Sequence, residues 1–153
     1  MLRLKLLLPL LLMGIACLAQ TEKPAYNAAL AQKLGADQYG MKKYVMAFLK
    51  EGPTKITDAK AGQELQMAHL RNIMKLAAEG KLVLAGPFMD DHPIRGIFIF
   101  NVATIEEAQG LTATDPAIKA GTLVMELHPW YGSAALMQVV PIHNTLEKKS
   151  VAE

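Results

Sequence analysis

The chain is poor in the residues that carry most recognisable chemistry. It has one cysteine, Cys17, and one tryptophan, Trp130, among 153 residues. Its only serines are Ser133 and Ser150, and neither lies in a G-x-S-x-G elbow. Without a second cysteine there is no disulfide within the chain, and a core of this size does not need one. No H-x-x-H or C-x-x-C spacing points to a metal, and no glycine-rich loop points to a phosphate. Charge of one sign is also lacking, since the formal net charge is only +2. That excludes a basic surface for nucleic acid or an anionic membrane. No internal repeat or low-complexity tract is present. The length suits one domain with a real core.

What is present begins with an N-terminal pattern. Arg3 and Lys5 are followed by an almost unbroken apolar run over residues 6–12, then by Ile15-Ala16-Cys17-Leu18-Ala19. This is the layout of a secretory signal peptide over residues 1–19, cleaved after Ala19 to leave Gln20 first. The rival is lipidation of Cys17 after Gly14-Ile15-Ala16. The apolar run is too short for a comfortable membrane span, so the mature chain is expected to carry none. Either version places the protein in the periplasm or outside the cell. Loss of Arg3 and Lys5 brings the mature charge close to zero.

Residues 20–41 read as a helical lead-in that stops at Gly35, with Gly40 at the boundary of the core. Within residues 42–131 the apolar pattern alternates between periods of two and of about 3.6. A strand is expected over 44–49 and a helix over 60–78, ended by Gly80. Strands follow over 82–85 and 96–102. Thr104 and Glu107 form a capping box for a helix that runs to about Thr114, stopped by Asp115-Pro116. The last strand covers 122–127, and residues 132–153 are a C-terminal extension. The order β-α-β-β-α-β is that of a ferredoxin-like α+β sandwich. Two helices cover one sheet face, yet the strands are apolar on both. Tyr44, Met46 and Phe48 alternate with Val45, Ala47 and Leu49. The uncovered face predicts a homodimer with sheets face to face; the alternative is that the extension folds back over it.

Leu65, His69, Ile73 and Leu76 share one stripe of the first core helix. On pattern alone, a histidine there is a satisfied core residue. A group that titrates near neutrality is also suited to acid–base work. Asp90-Asp91-His92 is a denser polar cluster, read as a solvated loop rather than a metal site. Phe88, Arg95, His128, Trp130 and Tyr131 are candidate pocket walls, and Gly86-Pro87 ends a strand where backbone can approach a ligand. Asp91 joins the candidate ligand-binding residues. His143 lies in the extension and carries no argument.

Several short motifs share an order and spacing with a known family. They are Ala68-His69-Leu70, Glu79-Gly80-Lys81-Leu82 leading into Ala85-Gly86-Pro87, Gly96-Ile97, Glu107-Ala108, Asp115-Pro116 with Ala120-Gly121, and Glu126-Leu127-His128-Pro129-Trp130. In these residues the chain resembles the YCII-related (YciI-like) domain family over residues 42–131. The resemblance implies a dimeric α/β-barrel assembly of ferredoxin-like domains and a histidine–aspartate catalytic pair. By position these are His69 and Asp115, with Asp90 or Asp91 as the alternative partner. The expected activity is that of a lyase or isomerase moving one proton on a small organic molecule, with no cofactor and no metal. The competing expectation is a binding module without turnover, in which Arg95 pairs with a ligand carboxylate. A third is a structural dimer in which the pair is only a buried hydrogen bond.

Overall fold

The computed structural model describes residues 24–152; the expected signal peptide, with Cys17, lies outside the described residues. Helix α1 (Ala28–Leu34) starts where Asn27 accepts a hydrogen bond from the Leu30 N–H. It stops at Gly35, which takes the left-handed conformation at φ 69°. Strand β1 (Met41–Glu51) follows. Helix α2 (Ala59–Ala78) is capped by Asp58, whose carboxylate accepts from the Ala61 N–H at 2.7 Å. Strands β2 (Leu82–Pro87) and β3 (Ile94–Phe100) form a hairpin. The Thr104–Glu107 capping box opens helix α3 (Ile105–Thr112). A short helix α4 (Pro116–Lys119) precedes strand β4 (Leu123–Ser133). A 3-10 turn (Ala134–Gln138) and helix α5 (Val139–His143) end the regular structure.

The four strands form one antiparallel sheet in the order β2-β3-β1-β4. With helices between β1 and β2 and between β3 and β4, this is an α+β arrangement compatible with the ferredoxin-like fold. Strands β1 and β4 are longer than their apolar cores suggest. They pair in continuous register from Met41↔Ser133 to Glu51↔Leu123. Polar residues at both ends are carried into the ladder because each strand templates the other. Pro129 sits within β4, where a missing N–H is tolerated because β4 is an edge strand.

The alternation along β1 holds in three dimensions. Val45, Ala47 and Leu49 join Phe98, Phe100, Leu82, Leu76 and Ala108 in the core between sheet and helices. Tyr44, Val83 and Ile99 form a second cluster on the other face. That face is not left bare. Leu136 and Met137 from the extension pack on it, beside Met46, Leu84 and Trp130. The Tyr44 hydroxyl donates to the Ser133 carbonyl at 3.1 Å, and burial pushes its pKa up. The Ala134 N–H donates to Gly40 O at 2.9 Å, which fixes the start of the extension. The rest of this face is mixed. Phe48 and Met46 are half-buried, whereas Val124, Glu126 and His128 are exposed.

One expected helix stop changes its role. Asp115-Pro116 starts a helix rather than stopping one: Asp115 is the N-cap of α4 and Pro116 lies in its first turn. Proline at that point removes an N–H that would have no partner anyway, so the same dipeptide serves either role. The extension folds back over part of the second sheet face, the alternative weighed against the homodimer.

Candidate functional site

His69 lies midway along α2 on its sheet-facing stripe and is 6% exposed. Its ring stacks on Phe98, with centroids 6.0 Å apart and planes inclined by 21°. Asp115 reaches it from the α3–α4 junction and is 1% exposed. One oxygen, Oδ2, lies 2.7 Å from His69 Nδ1. The other, Oδ1, accepts from the Ala117 N–H at 2.8 Å. One carboxylate therefore caps α4 and holds the imidazole, and its orientation is fixed from two sides. Beside it the Thr114 hydroxyl lies 3.1 Å from Asn72 Oδ1, a second tether between α2 and the same junction.

The consequence for the ring is tautomeric. An ionised Asp115 only accepts, so Nδ1 carries the proton and the neutral ring keeps a lone pair on Nε2. Nε2 has no hydrogen-bond partner among the described residues, and it is not among their fully buried unpartnered atoms. An imidazole oriented through one nitrogen with the other unpaired can accept a proton from a group placed within hydrogen-bond reach.

His69 lines a cleft of about 840 Å³ bounded by α2, the β2–β3 hairpin and the C-terminal extension. Its walls are mostly apolar and include Ile73, Leu82, Leu84 and Phe98. The volume lies within the range usual for small-molecule sites. Gly86, Pro87 and Arg95 also line it. Gly96 lets the hairpin close tightly at this point, since a Cβ there would lie 2.6 Å from Gly86 O. The Arg95 guanidinium has loose partners, Glu51 Oε2 at 3.8 Å and Asp91 Oδ1 at 3.6 Å.

Five expected pocket residues stand elsewhere. Phe88 is exposed beyond Pro87 and does not line the cleft. Asp91 is on the exposed hairpin turn, next to a separate shallow depression that includes Lys50 and Arg95. Neither Asp90 nor Asp91 is the partner of His69; that is Asp115. Trp130 lies on the opposite sheet face, where its ring is 5.8 Å from Tyr44. The indole crosses Gly132, whose Cβ, if present, would lie 2.1 Å from it. His128 and Tyr131 are also outside the cleft: His128 packs edge-on against Phe48, and the Tyr131 hydroxyl donates to Asp37. For Trp130 and His128 the reason is period two: they face away from the helices and cannot reach α2. Tyr131 has the opposite parity but lies near the end of β4, tied to Asp37 of the lead-in.

Sequence reasoning missed the extension as a wall. Val139, Val140, His143, Asn144 and Glu147 all line the cleft. His143 is thus a cleft residue, and its Nε2 lies 3.6 Å from Glu147 Oε2. The one signal in the sequence was the apolar run Val139-Val140-Pro141-Ile142, too apolar for a solvated tail.

Comparison with known proteins gives one family match, the YCII-related domain, over residues 41–131. No curated protein matches the chain. Among solved structures, the chain is similar to 5-chloro-2-hydroxyhydroquinone dehydrochlorinase from Burkholderia phenoliruptrix AC1100, in complex with 2,5-dihydroxybenzoquinone. The two are 18% identical with a TM-score of 0.44, over 58% of this chain and 93% of that one.

Proposed function

The chain belongs to the YCII-related domain family, and from that premise we propose that it is an acid–base enzyme of the lyase or isomerase type. Its substrate is a small organic molecule, and the reaction needs neither cofactor nor metal. The observation that carries this reading is the buried Asp115–His69 pair, 2.7 Å apart, at the wall of the 840 Å³ cleft. His69 Nε2 takes a proton from a carbon made acidic by a neighbouring electron-withdrawing group. Asp115 stays ionised and stabilises the imidazolium that forms. In an isomerisation the proton returns to a second atom of the same molecule. In an elimination the electron pair left on carbon expels a leaving group, and the imidazolium gives its proton to solvent.

The test begins with a metabolite-binding screen and continues with solvent deuterium exchange into each bound compound. His69→Gln keeps hydrogen bonding but loses the proton chemistry. It should lower exchange or turnover by about 10²–10⁴-fold with the fold intact by circular dichroism. Wild-type rates in that variant would end the assignment.

A second reading is a binding module without turnover. It is favoured by Arg95, whose long contacts leave its guanidinium free to pair with a ligand carboxylate. An acidic ligand recovered unchanged, bound normally by His69→Gln and lost from Arg95→Gln, would select it.

Two further parts of the proposal rest on pattern. Export follows from the basic start and apolar run of residues 1–19; an intact mass beginning at Gln20, or a diacylglyceryl adduct on Cys17, is expected from the native source. A full-length cytoplasmic product would refute export. Homodimerisation follows from the half-buried Phe48 and Met46 on the partly covered sheet face. Light scattering at micromolar concentration should report twice the chain mass, and a clean monomer would mean that the extension alone completes this face.

A further inference from the structure

The extension does more than cover the sheet. From β4 it crosses the second face through Leu136 and Met137, passes β2 as α5, and reaches α2, where the Ser150 hydroxyl lies 3.2 Å from the Met74 sulfur. It therefore straps one side of the cleft, between β2 and α2. All of it lies beyond residues 41–131, the span matched by the family. The cleft of this chain thus has a wall that the domain alone does not contain.

The chemistry of that wall restricts what fits. Val139 and Val140 continue the apolar surface of Leu82, Leu84 and Ile73. The strap also brings His143, Asn144, Glu147 and Ser150 to the lining, but most of the surface facing the space is apolar, so a sugar or a phosphate compound would lose much of its hydration without replacement. The carboxylate in the wall, Glu147, disfavours an anion at its end. The Arg95 guanidinium also lines the cleft, but its charge is balanced by the carboxylates of Glu51 and Asp91 at 3.8 and 3.6 Å, which an anion would have to displace, as in the binding-module reading. Met74, where the strap meets α2, is five residues beyond His69. At 1.5 Å per residue, that is about 7.5 Å along the helix.

We propose that the segment 139–151 is the specificity-determining wall of the cleft, selecting neutral, largely apolar compounds long enough to touch His69 and the valines of α5 together. This deepens the proposed function, resting on the cleft being the substrate site, and names the class of compound that the site takes.

The probe is N-phenyl-1-naphthylamine, a neutral diaryl amine whose fluorescence rises in apolar surroundings, titrated into the full chain. Its anionic relative 1-anilinonaphthalene-8-sulfonate has the same aryl body. The neutral probe should bind at least about tenfold more tightly than the anion. Val140→Trp fills the cleft from the strap side and should weaken the neutral probe at least about tenfold, with its circular dichroism unchanged. Equal affinity in that variant, or tighter binding of the anion, would overturn the proposal. If the variant does not fold, methyl NMR of the wild type decides. The neutral probe should shift the methyls of Val139 and Val140 together with the His69 ring resonances. Shifts confined to Tyr44, Met46 and Phe48 would place the probe on the sheet face and refute the assignment. Binding is read here without turnover, so a loss of the catalytic reading through His69→Gln leaves this result standing, and the converse holds too.

Discussion

The two faces of the sheet are built on opposite plans. On one, α2 and α3 lay regular apolar stripes over Val45, Ala47, Phe98 and Phe100, which are buried beneath them. On the other, Tyr44, Val83 and Ile99 are sealed by an irregular strap, while the far end carries Lys50, Glu126 and His128. The polar pair His69–Asp115 is set into the helical face. The more thoroughly buried region thus holds the polar pair, where stacking on Phe98 and the two bonds of Asp115 fix the orientation of the imidazole. The strapped face is tolerant by comparison, and its sequence is free to mix aromatic and charged residues.

The sharpest way to break this contrast is truncation on each side. Phe100→Ala removes a fully buried ring from the helical face and should cost about 3–5 kcal/mol. Leu136→Ala, on the half-buried strap, should cost about 1–2 kcal/mol. Urea unfolding of both variants measures the difference. Equal losses would mean that the strap is as integral to the core as the helices.

A smaller effect is expected at the polar pair. From the apolar stripe alone, His69→Leu would be neutral or stabilising. The structure reverses that expectation, because leucine leaves the buried Asp115 carboxylate with only the Ala117 N–H. A loss of about 1–3 kcal/mol should follow. Asp115→Ser retains a cap for α4, so adding it to His69→Leu should recover part of that loss. A double-mutant cycle by thermal melting reads the coupling, and strict additivity would show that the two side chains stabilise independently.

The smallest effect belongs to the charged end of the strapped face. The Lys50 ammonium, then the His128 ring, hold the Glu126 carboxyl below its ordinary value. A depressed carboxyl contributes stability that is fully present above its unfolded value, 4.5, and is lost as pH falls through the lower folded value. Glu126→Gln should therefore flatten a shallow decline of melting temperature with acidification below that pH. The decline should also shrink in high salt, since the group is exposed. A decline that persists in Glu126→Gln would assign it elsewhere, with Asp37 as the next carboxyl to test. The Tyr131 hydroxyl, then the Met41 N–H, hold Asp37 below its ordinary value.

Much of this architecture was legible because it is local. The Thr104–Glu107 box, the stop at Gly35 and the alternation along β1 depend on neighbours within a few residues, and periodicity reports such relations directly. The stripe that buries His69 is of the same kind. Its partner was less so: the resemblance pointed to Asp115, but the dipeptide Asp115-Pro116 fits a helix stop and a helix start equally well. Only the placement of α4 against α2 shows that the carboxylate turns inward.

By itself, then, the sequence determined the order of elements, the two-faced strands and the position of His69 on an apolar helix face. All three follow from side-chain periods and capping chemistry within single elements. The tertiary structure alone decided which carboxylate holds His69, why Trp130 is turned from the cleft, and that Val139, Val140 and Glu147 wall it. Those are contacts between segments tens of residues apart. Their existence depends on how the sheet, the α3–α4 junction and the strap close on one another, and no local pattern encodes that closure.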